Sequence, residues 1–155
     1  MVEKNMLINV DPLLIPDILS TIRSMGHGDR LVLSDANFPS YSHNSTLHRM
    51  DGLNINQAAK AILSVFPLDS FIAEPVLRME IDGKPDEINE VHQELINTVE
   101  NISGNNWKVG SIERQKFYAE AKKAFAVITT SDTRPYGCFI FIKGVLKPDG
   151  SVWIV

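Results

Sequence analysis

The stretch Pro-Asp-Ile-Leu-Ser-Thr-Ile-Arg-Ser-Met-Gly-His-Gly-Asp-Arg-Leu-Val-Leu-Ser-Asp, residues 16–35, changes its periodicity once, and that change decides the fold. Its first half places Ile18, Leu19, Ile22 and Met25 at helical spacing behind Pro16, which suits a first-turn position. This predicts a helix over 16–25, stopped by Gly26 in a left-handed conformation. The second half sets Leu31, Val32 and Leu33 side by side between Gly-His-Gly-Asp and Asp35, the pattern of a short buried strand. The alternation continues outward. Asn54 caps a helix burying Ile55, Ala58, Ala59 and Ile62, and Pro67 closes it. Residues 76–81 put Leu77, Met79 and Ile81 on one face and Arg78 and Glu80 on the other, which is the period of a half-buried strand. After a turn at 82–84, Pro85 opens a longer helix striped by Ile88, Val91, Leu95, Val99 and Ile102. Strand over 107–112, helix over Arg114–Lys123, and strands over 124–130 and 138–143 complete the chain. Helices interleaved with strands predict an α/β fold, a layered and mostly buried sheet with helices on both faces. No linker or repeat divides the sequence, so residues 1–155 form a single domain.

Composition narrows the function. Hydrophobic residues make up 44% of the chain and charged residues 22%, the usage of a domain that folds alone. Fifteen Lys plus Arg against nineteen Asp plus Glu leave a net charge of −4, which gives no broad electrostatic ground for a nucleic-acid or membrane-surface partner. No apolar run approaches the roughly 20 residues of a membrane-spanning helix. Asp11, Pro12, Pro16 and Asp17 interrupt the N-terminal apolar stretch, so a secretory leader is not expected and a cytoplasmic location is. Cys138 is the only cysteine, which excludes an internal disulfide and a thiolate zinc cluster. The glycines form no phosphate-cradling pattern, and His43, His48 and His92 lack metal-ligand spacing, so no metal is expected. His92, beside the apolar stripe of its helix, reads as a solvated surface histidine.

Six positions carry candidate chemistry. His27 stands between two glycines that cannot shield it, and imidazole is the side chain that exchanges protons around neutral pH; the alternative is a loop histidine after a helix cap. Asp35 ends a strand, where ligands of α/β sheets bind, or else starts the turn through Asn37-Phe38-Pro39 by bonding its own backbone. Tyr136 precedes a glycine and an apolar strand, so its ring can pack while its hydroxyl meets a sugar hydroxyl or a backbone group. Arg114 and Tyr118, four apart, share a helix face and either line a polar pocket together or leave Arg114 paired with Glu113. Cys138 heads an apolar strand with no adjacent base, as a buried, inert thiol does. One geometric difficulty follows. Five extended residues span roughly 17 Å, so His27 and Asp35 lie at opposite ends of a straight strand. Either the glycine-flanked loop folds back, or a second copy of the chain completes the site.

Taken in order, these residues resemble the family of D-ribose pyranase and L-fucose mutarotase over nearly the whole chain. The resemblance rests on Met25-Gly26-His27-Gly28-Asp29, Ser34-Asp35-Ala36-Asn37-Phe38-Pro39, Arg49-Met50-Asp51-Gly52, Pro67-Leu68-Asp69-Ser70, Phe117-Tyr118 with Ala121-Lys122-Lys123-Ala124-Phe125-Ala126, and Tyr136-Gly137 followed by Lys143-Gly144-Val145. Gly-His-Gly-Asp, Asn-Phe-Pro and Arg114 resemble the fucose branch; the ribose branch typically has Gly-His-Thr-Asp and a histidine at the last position. The resemblance implies interconversion of the α and β anomers of a free monosaccharide, L-fucose before D-ribose or another sugar, with no cofactor. It also implies a homo-oligomer, often a decameric ring, with sites near subunit contacts. By matching positions, His27 is the acid/base and Asp35 a sugar-hydroxyl ligand, with Asp69, Met79, Arg114, Tyr118, Tyr136 and Cys138 around the sugar. Where the family usually carries Tyr-Gly-Asn this chain has Tyr136-Gly137-Cys138, exchanging an amide for a weakly bonding thiol. That departure bears on substrate preference and motivates a rival reading, a catalytically silent sugar-binding homologue. The segment 41–48 also differs from the family pattern.

Overall fold

A computed structural model describes residues 6–155. In chain order the elements are α1 (Pro16–Ser24), β1 (Arg30–Ser34), α2 (Ser40–His43), β2 (Leu47–Met50), α3 (Ile55–Leu63), β3 (Val76–Met79), α4 (Glu90–Ser103), β4 (Val109–Ile112), α5 (Arg114–Lys123), β5 (Ala126–Thr130) and β6 (Phe139–Ile142). The strands make one six-stranded sheet in the order β2-β5-β1-β6-β3-β4. β1 is parallel to β5 and antiparallel to β6, β2 is parallel to β5, and β3 is antiparallel to β6 and parallel to β4. β6 therefore runs against every other strand.

Alternation along the strands divides the core between two faces. Leu31 and Leu33 of β1, Ile128 of β5, and Phe139 and Phe141 of β6 meet Ile18 and Ile22 of α1, Ile62 of α3, and Leu95 and Val99 of α4. Val32, Val127, Ile140 and Ile142 look the other way, toward Phe117 and Ala121 of α5 and Phe38. Helices thus cover both faces, as the interleaving predicts. α5 is the lightly anchored one, since Phe117 and Ala121 are its only buried residues.

Several boundaries differ from the sequence reading. α1 ends at Ser24, and Met25 leaves it in an extended conformation to bury its side chain in the core. The left-handed residue is Gly28 rather than Gly26. No left-handed stop is needed, because the Lys143 ammonium donates to the orphan carbonyls of Ile22 and Met25. α4 starts at Glu90, well beyond Pro85, whose carbonyl accepts from the Arg78 guanidinium; Ile88 is outside the helix and exposed. The strands expected over 76–81 and 107–112 shorten to β3 and β4. The short elements α2 and β2 carry no periodic signal, and β2 pairs with a single neighbour at the sheet edge.

His92 is the clearest reversal, being fully buried rather than solvated. It occupies the third position of α4, where its Nδ1 accepts from the Asn89 N–H while the Asn89 side chain accepts from the His92 N–H, a reciprocal capping box. Its Nε2 lies 2.9 Å from the Tyr136 carbonyl, and its ring meets Phe139 edge-on.

Two outcomes follow. Phe117→Ala removes the side chain that seats α5 and is expected to cost about 3–5 kcal/mol by urea denaturation; a loss under 1 kcal/mol, about what a small surface change costs, would contradict that anchoring. Burial lowers the His92 pKa below its ordinary 6.5, the Tyr136 carbonyl opposes this, and the Arg78 cation adds to it. In the window below 6.5 the unfolded chain then binds more protons than the folded one at this site, so the contribution of His92 to stability is lost as pH falls. The drop in denaturation midpoint between about pH 7.5 and 5.5 should be larger for the natural chain than for His92→Gln. Equal drops would refute the assignment.

Candidate active site

β1 and β6 place the candidate residues at the two ends of the sheet. At one end, the loop after α1 leaves His27 with its side chain 46% exposed. The loop is fastened to the end of β6, where Gly28 N–H donates to the Lys143 carbonyl (2.8 Å) and Lys143 N–H donates to the Asp29 carbonyl (2.9 Å). Asp69 arrives there because residues 67–69 press against the same strand end. Its N–H donates to the Ile142 carbonyl (3.0 Å), and Gly144 N–H donates to the Pro67 carbonyl (2.8 Å). Only glycine permits that approach at position 144, since a Cβ there would sit 2.2 Å from the Leu68 carbonyl oxygen.

His27 Nε2 lies 3.0 Å from Asp69 Oδ1, and the Asp69 side chain is only 3% exposed. An ionised carboxylate only accepts, so Nε2 carries the hydrogen and the neutral ring has its lone pair on Nδ1. Phe71 N–H donates to the same Oδ1 (3.0 Å), the Phe71 ring packs against the imidazole with centroids 5.0 Å apart, and Trp153 packs against Phe71. The pair is thus an imidazole held in one tautomer and one orientation, and among the described residues its Nδ1 has no hydrogen-bond partner. A cavity of about 540 Å³, mostly apolar, adjoins the ring between α1 and the segment after β6.

At the other end of β1, Asp35 is buried and joins three backbone donors. Its Oδ1 accepts from Asn37 N–H (3.0 Å) and Phe38 N–H (2.9 Å), and its Oδ2 accepts from Gly137 N–H (3.1 Å). Asp35 therefore organises its turn, as one alternative of the sequence reading has it, and it also borders a cavity of about 260 Å³. Met79, Arg114, Tyr118, Tyr136 and Cys138 line the same cavity, with Phe38 beside them. Burial pushes the Asp35 carboxyl up, against the pull of its backbone donors, and it pushes the fully buried Cys138 thiol well up with Asp35 adding to the effect.

Arg114 is turned over to this cavity rather than to Glu113. Glu113 Oε2 accepts from Gln115 and Lys116 N–H at the start of α5, and among the described residues Arg114 forms no ion pair. Tyr118 packs edge-on against Phe38 and His43. His43, which the sequence singled out only as a non-ligand, thus packs against two of the residues that line the cavity; its Nδ1 bonds the Pro39 carbonyl at 2.8 Å. Tyr136 has φ 60°, a left-handed backbone that costs a residue with a side chain about 1–2 kcal/mol.

The eight residues singled out by resemblance therefore form two groups. His27 and Asp69 make one, and the six around the smaller cavity make the other. The glycine-flanked loop does not fold back along β1. Among the described residues no cluster of His, Cys, Asp and Glu could hold a metal ion, and no helix is long and apolar enough to cross a membrane.

Comparison with known proteins places this geometry. The chain is 37% identical over 142 residues to the L-fucose mutarotase of Histophilus somni, covering 90% of this chain and 97% of that one. It superposes on the fucose mutarotase of Streptococcus pneumoniae, solved in complex with L-fucose, with a TM-score of 0.83 at 34% identity, covering 91% of this chain and all of that one. Bacillus subtilis RbsD, solved with D-ribose, shares the fold at a TM-score of 0.67 and 22% identity, over 94% of this chain and 100% of that one. The family model described as the RbsD / FucU transport protein family matches residues 8–146, and with 37% identity to a curated relative over nine-tenths of its length the chain belongs to this family.

Proposed function

We propose that this protein is an L-fucose mutarotase that interconverts the α and β anomers of the free sugar. The observation that carries the reading is the half-exposed His27 imidazole, oriented through Nε2 by buried Asp69 at 3.0 Å, with Nδ1 unbonded among the described residues. In the proposed step Nδ1 takes the proton of the anomeric hydroxyl, the C1–O1 bond becomes a carbonyl, and the C1–O5 bond opens. The ring oxygen receives the proton back from the imidazolium, directly or through water. Rotation about C1–C2 in the open aldehyde and the reverse sequence on the other face give the second anomer. Protons and electrons balance within the sugar, so no cofactor enters. Asp69 stabilises the transient imidazolium, as an orienting carboxylate does in other histidine-based sites.

The sugar's remaining hydroxyls are assigned to the second group. Arg114, Tyr118 and Tyr136 supply donors, Asp35 supplies its remaining acceptor site, and Met79 with Cys138 forms an apolar, sulfur-lined wall. Support for a shared site comes from distance, since β1 separates the two groups by roughly 17 Å while a pyranose is about a third of that across. His27 and Asp69 of one copy therefore act on a sugar held by the smaller cavity of another. The assembly we propose is a homo-oligomer, a decameric ring in keeping with the family resemblance. A cytoplasmic location fits the single, buried, unpaired thiol.

His27→Ala should reduce anomer exchange, followed by NMR saturation transfer on L-fucose, to the uncatalysed background, and Asp69→Asn should lower it by about 10²-fold. Exchange unchanged in His27→Ala would remove the proton-transfer role. The same assay over a panel including D-ribose fixes the substrate, and calorimetric binding without accelerated exchange would favour the silent sugar-binding reading that Cys138 motivates. A shared site makes a further outcome available. His27→Ala and Tyr136→Phe chains unfolded and refolded together should regain roughly a quarter of natural activity, because mixed contacts can pair an intact histidine with an intact tyrosine. Failure to regain activity in assemblies shown by native mass spectrometry to be mixed would argue for a site within one copy.

A further inference from the structure

The segment 132–137 that delivers Tyr136 is fastened to the start of α4 by an unusual number of bonds. Asn89 Nδ2 donates to the Pro135 carbonyl (2.9 Å), and the His92 ring bonds the Tyr136 carbonyl next to it (2.9 Å). Arg134 spans Asp132 and Glu94, each at 2.8 Å, and approaches Glu90 at 3.6 Å. On the other side Gly137 N–H is tied to Asp35. Between these ties sits Tyr136 with a left-handed backbone that an aromatic residue seldom adopts unless its surroundings enforce it.

The chemistry of His92 fixes the direction of its bond. Nδ1 faces the Asn89 N–H, a donor only, so Nδ1 must be the acceptor and the ring hydrogen must lie on Nε2, aimed at the Tyr136 carbonyl. Such a ring is neutral, consistent with its full burial and with the Arg78 cation facing it from β3. A single imidazole thus closes the helix cap with one nitrogen and holds a distant loop carbonyl with the other. Capping alone needs only the first.

We infer that His92, with Asn89, is a positioning residue for Tyr136, holding two consecutive carbonyls so that the strained residue keeps its side chain in the smaller cavity. This rests on the proposed role of Tyr136 as a sugar ligand. Releasing the carbonyl lets residue 136 relax toward negative φ and carries the phenol away from the cavity, while the capping half of the interaction is separable from it.

His92→Asn and His92→Gln make that separation. Asparagine keeps a polar group near the position of Nδ1 but is too short to reach Tyr136, whereas glutamine, an ordinary third residue of a capping box, supplies both an acceptor and a reaching donor. L-fucose binding by calorimetry is expected to weaken about tenfold in His92→Asn with the melting temperature nearly kept, and to be restored to within about twofold in His92→Gln. In a Tyr136→Phe background His92→Asn should weaken binding no further, because both changes act through one hydroxyl. Additive losses, or full binding in His92→Asn while Tyr136→Phe alone is weakened, would overturn the inference and leave the sugar-ligand role of Tyr136 standing. Full binding in Tyr136→Phe alone would overturn both. Should His92→Asn fail to fold, Asn89→Ser, which keeps the N-cap and is too short to reach Pro135, is expected to weaken binding in the same non-additive way, and unchanged binding in that variant counts against the inference.

Discussion

A five-residue strand buried on both faces cannot bend back on itself, and that stiffness of β1 governs the rest of the molecule. Leu31 and Leu33 are locked into one core and Val32 into the other, while β5 and β6 occupy both backbone edges. The residues at its two ends are therefore held apart by a fixed length. His27 sits before the strand and Asp35 after it, so a reaction that needs both must recruit the far group from a second chain. In this reading oligomerisation completes the site rather than adding stability to a finished one.

The two ends of β1 are built with opposite chemistry. Where α1 stops, its last carbonyls point outward, and a part-buried ammonium, that of Lys143, answers them. Burial lowers the Lys143 pKa and the nearby Arg23 adds to this, so the carbonyls and Asp29 are what keep a cation acceptable there. At the other end the loops after β1 and β5 turn their N–H groups inward, and carboxylates answer them. Asp35 serves Asn37, Phe38 and Gly137, and Asp132 accepts from Ile55 and Arg134 N–H. Each loop is thereby fixed by backbone bonds rather than by side-chain packing, which leaves the neighbouring side chains free to face a cavity.

How much of this was legible in the sequence depended on whether the signal was local. Pro16 with its apolar stripe, Leu31-Val32-Leu33, and Asn54 with Gln57 three residues on announce their elements because the determining groups lie within one turn or one strand. The capping box at Asn54 is the expected pairing of amide with amide. The one at Asn89 uses histidine where Glu or Gln is usual, so the sequence pattern points to Pro85 for the helix start and to a solvated His92. Asp69 has no local signal at all, since its partner His27 is 42 positions away and only the absence of a side chain at Gly144 lets the segment 67–69 meet the end of β6. The motif resemblance names Asp69 among the residues around the sugar, and the fold sets it beside His27, at the opposite end of β1 from the other six. A linear motif records residue types in order without recording how far apart the fold sets them.

The unequal burial of His27 and Asp69 suits the roles proposed for them, acid/base and orienting carboxylate. A fully buried imidazole could not exchange protons with a sugar or with water, and a fully solvated one would rotate freely and present either nitrogen. The carboxylate has the reverse requirement, because in water its attraction for the ring would be largely screened. Placing Asp69 at 3% exposure and leaving the ring at 46% puts the strong, orienting contact in a low dielectric and the reactive nitrogen at its edge. Phe71 reinforces the arrangement twice, donating its N–H to the Asp69 oxygen that holds the ring and packing its own ring against the imidazole. Desolvation is thus applied to the carboxylate that orients the ring and withheld from the ring itself, as the proposed acid/base role of His27 requires.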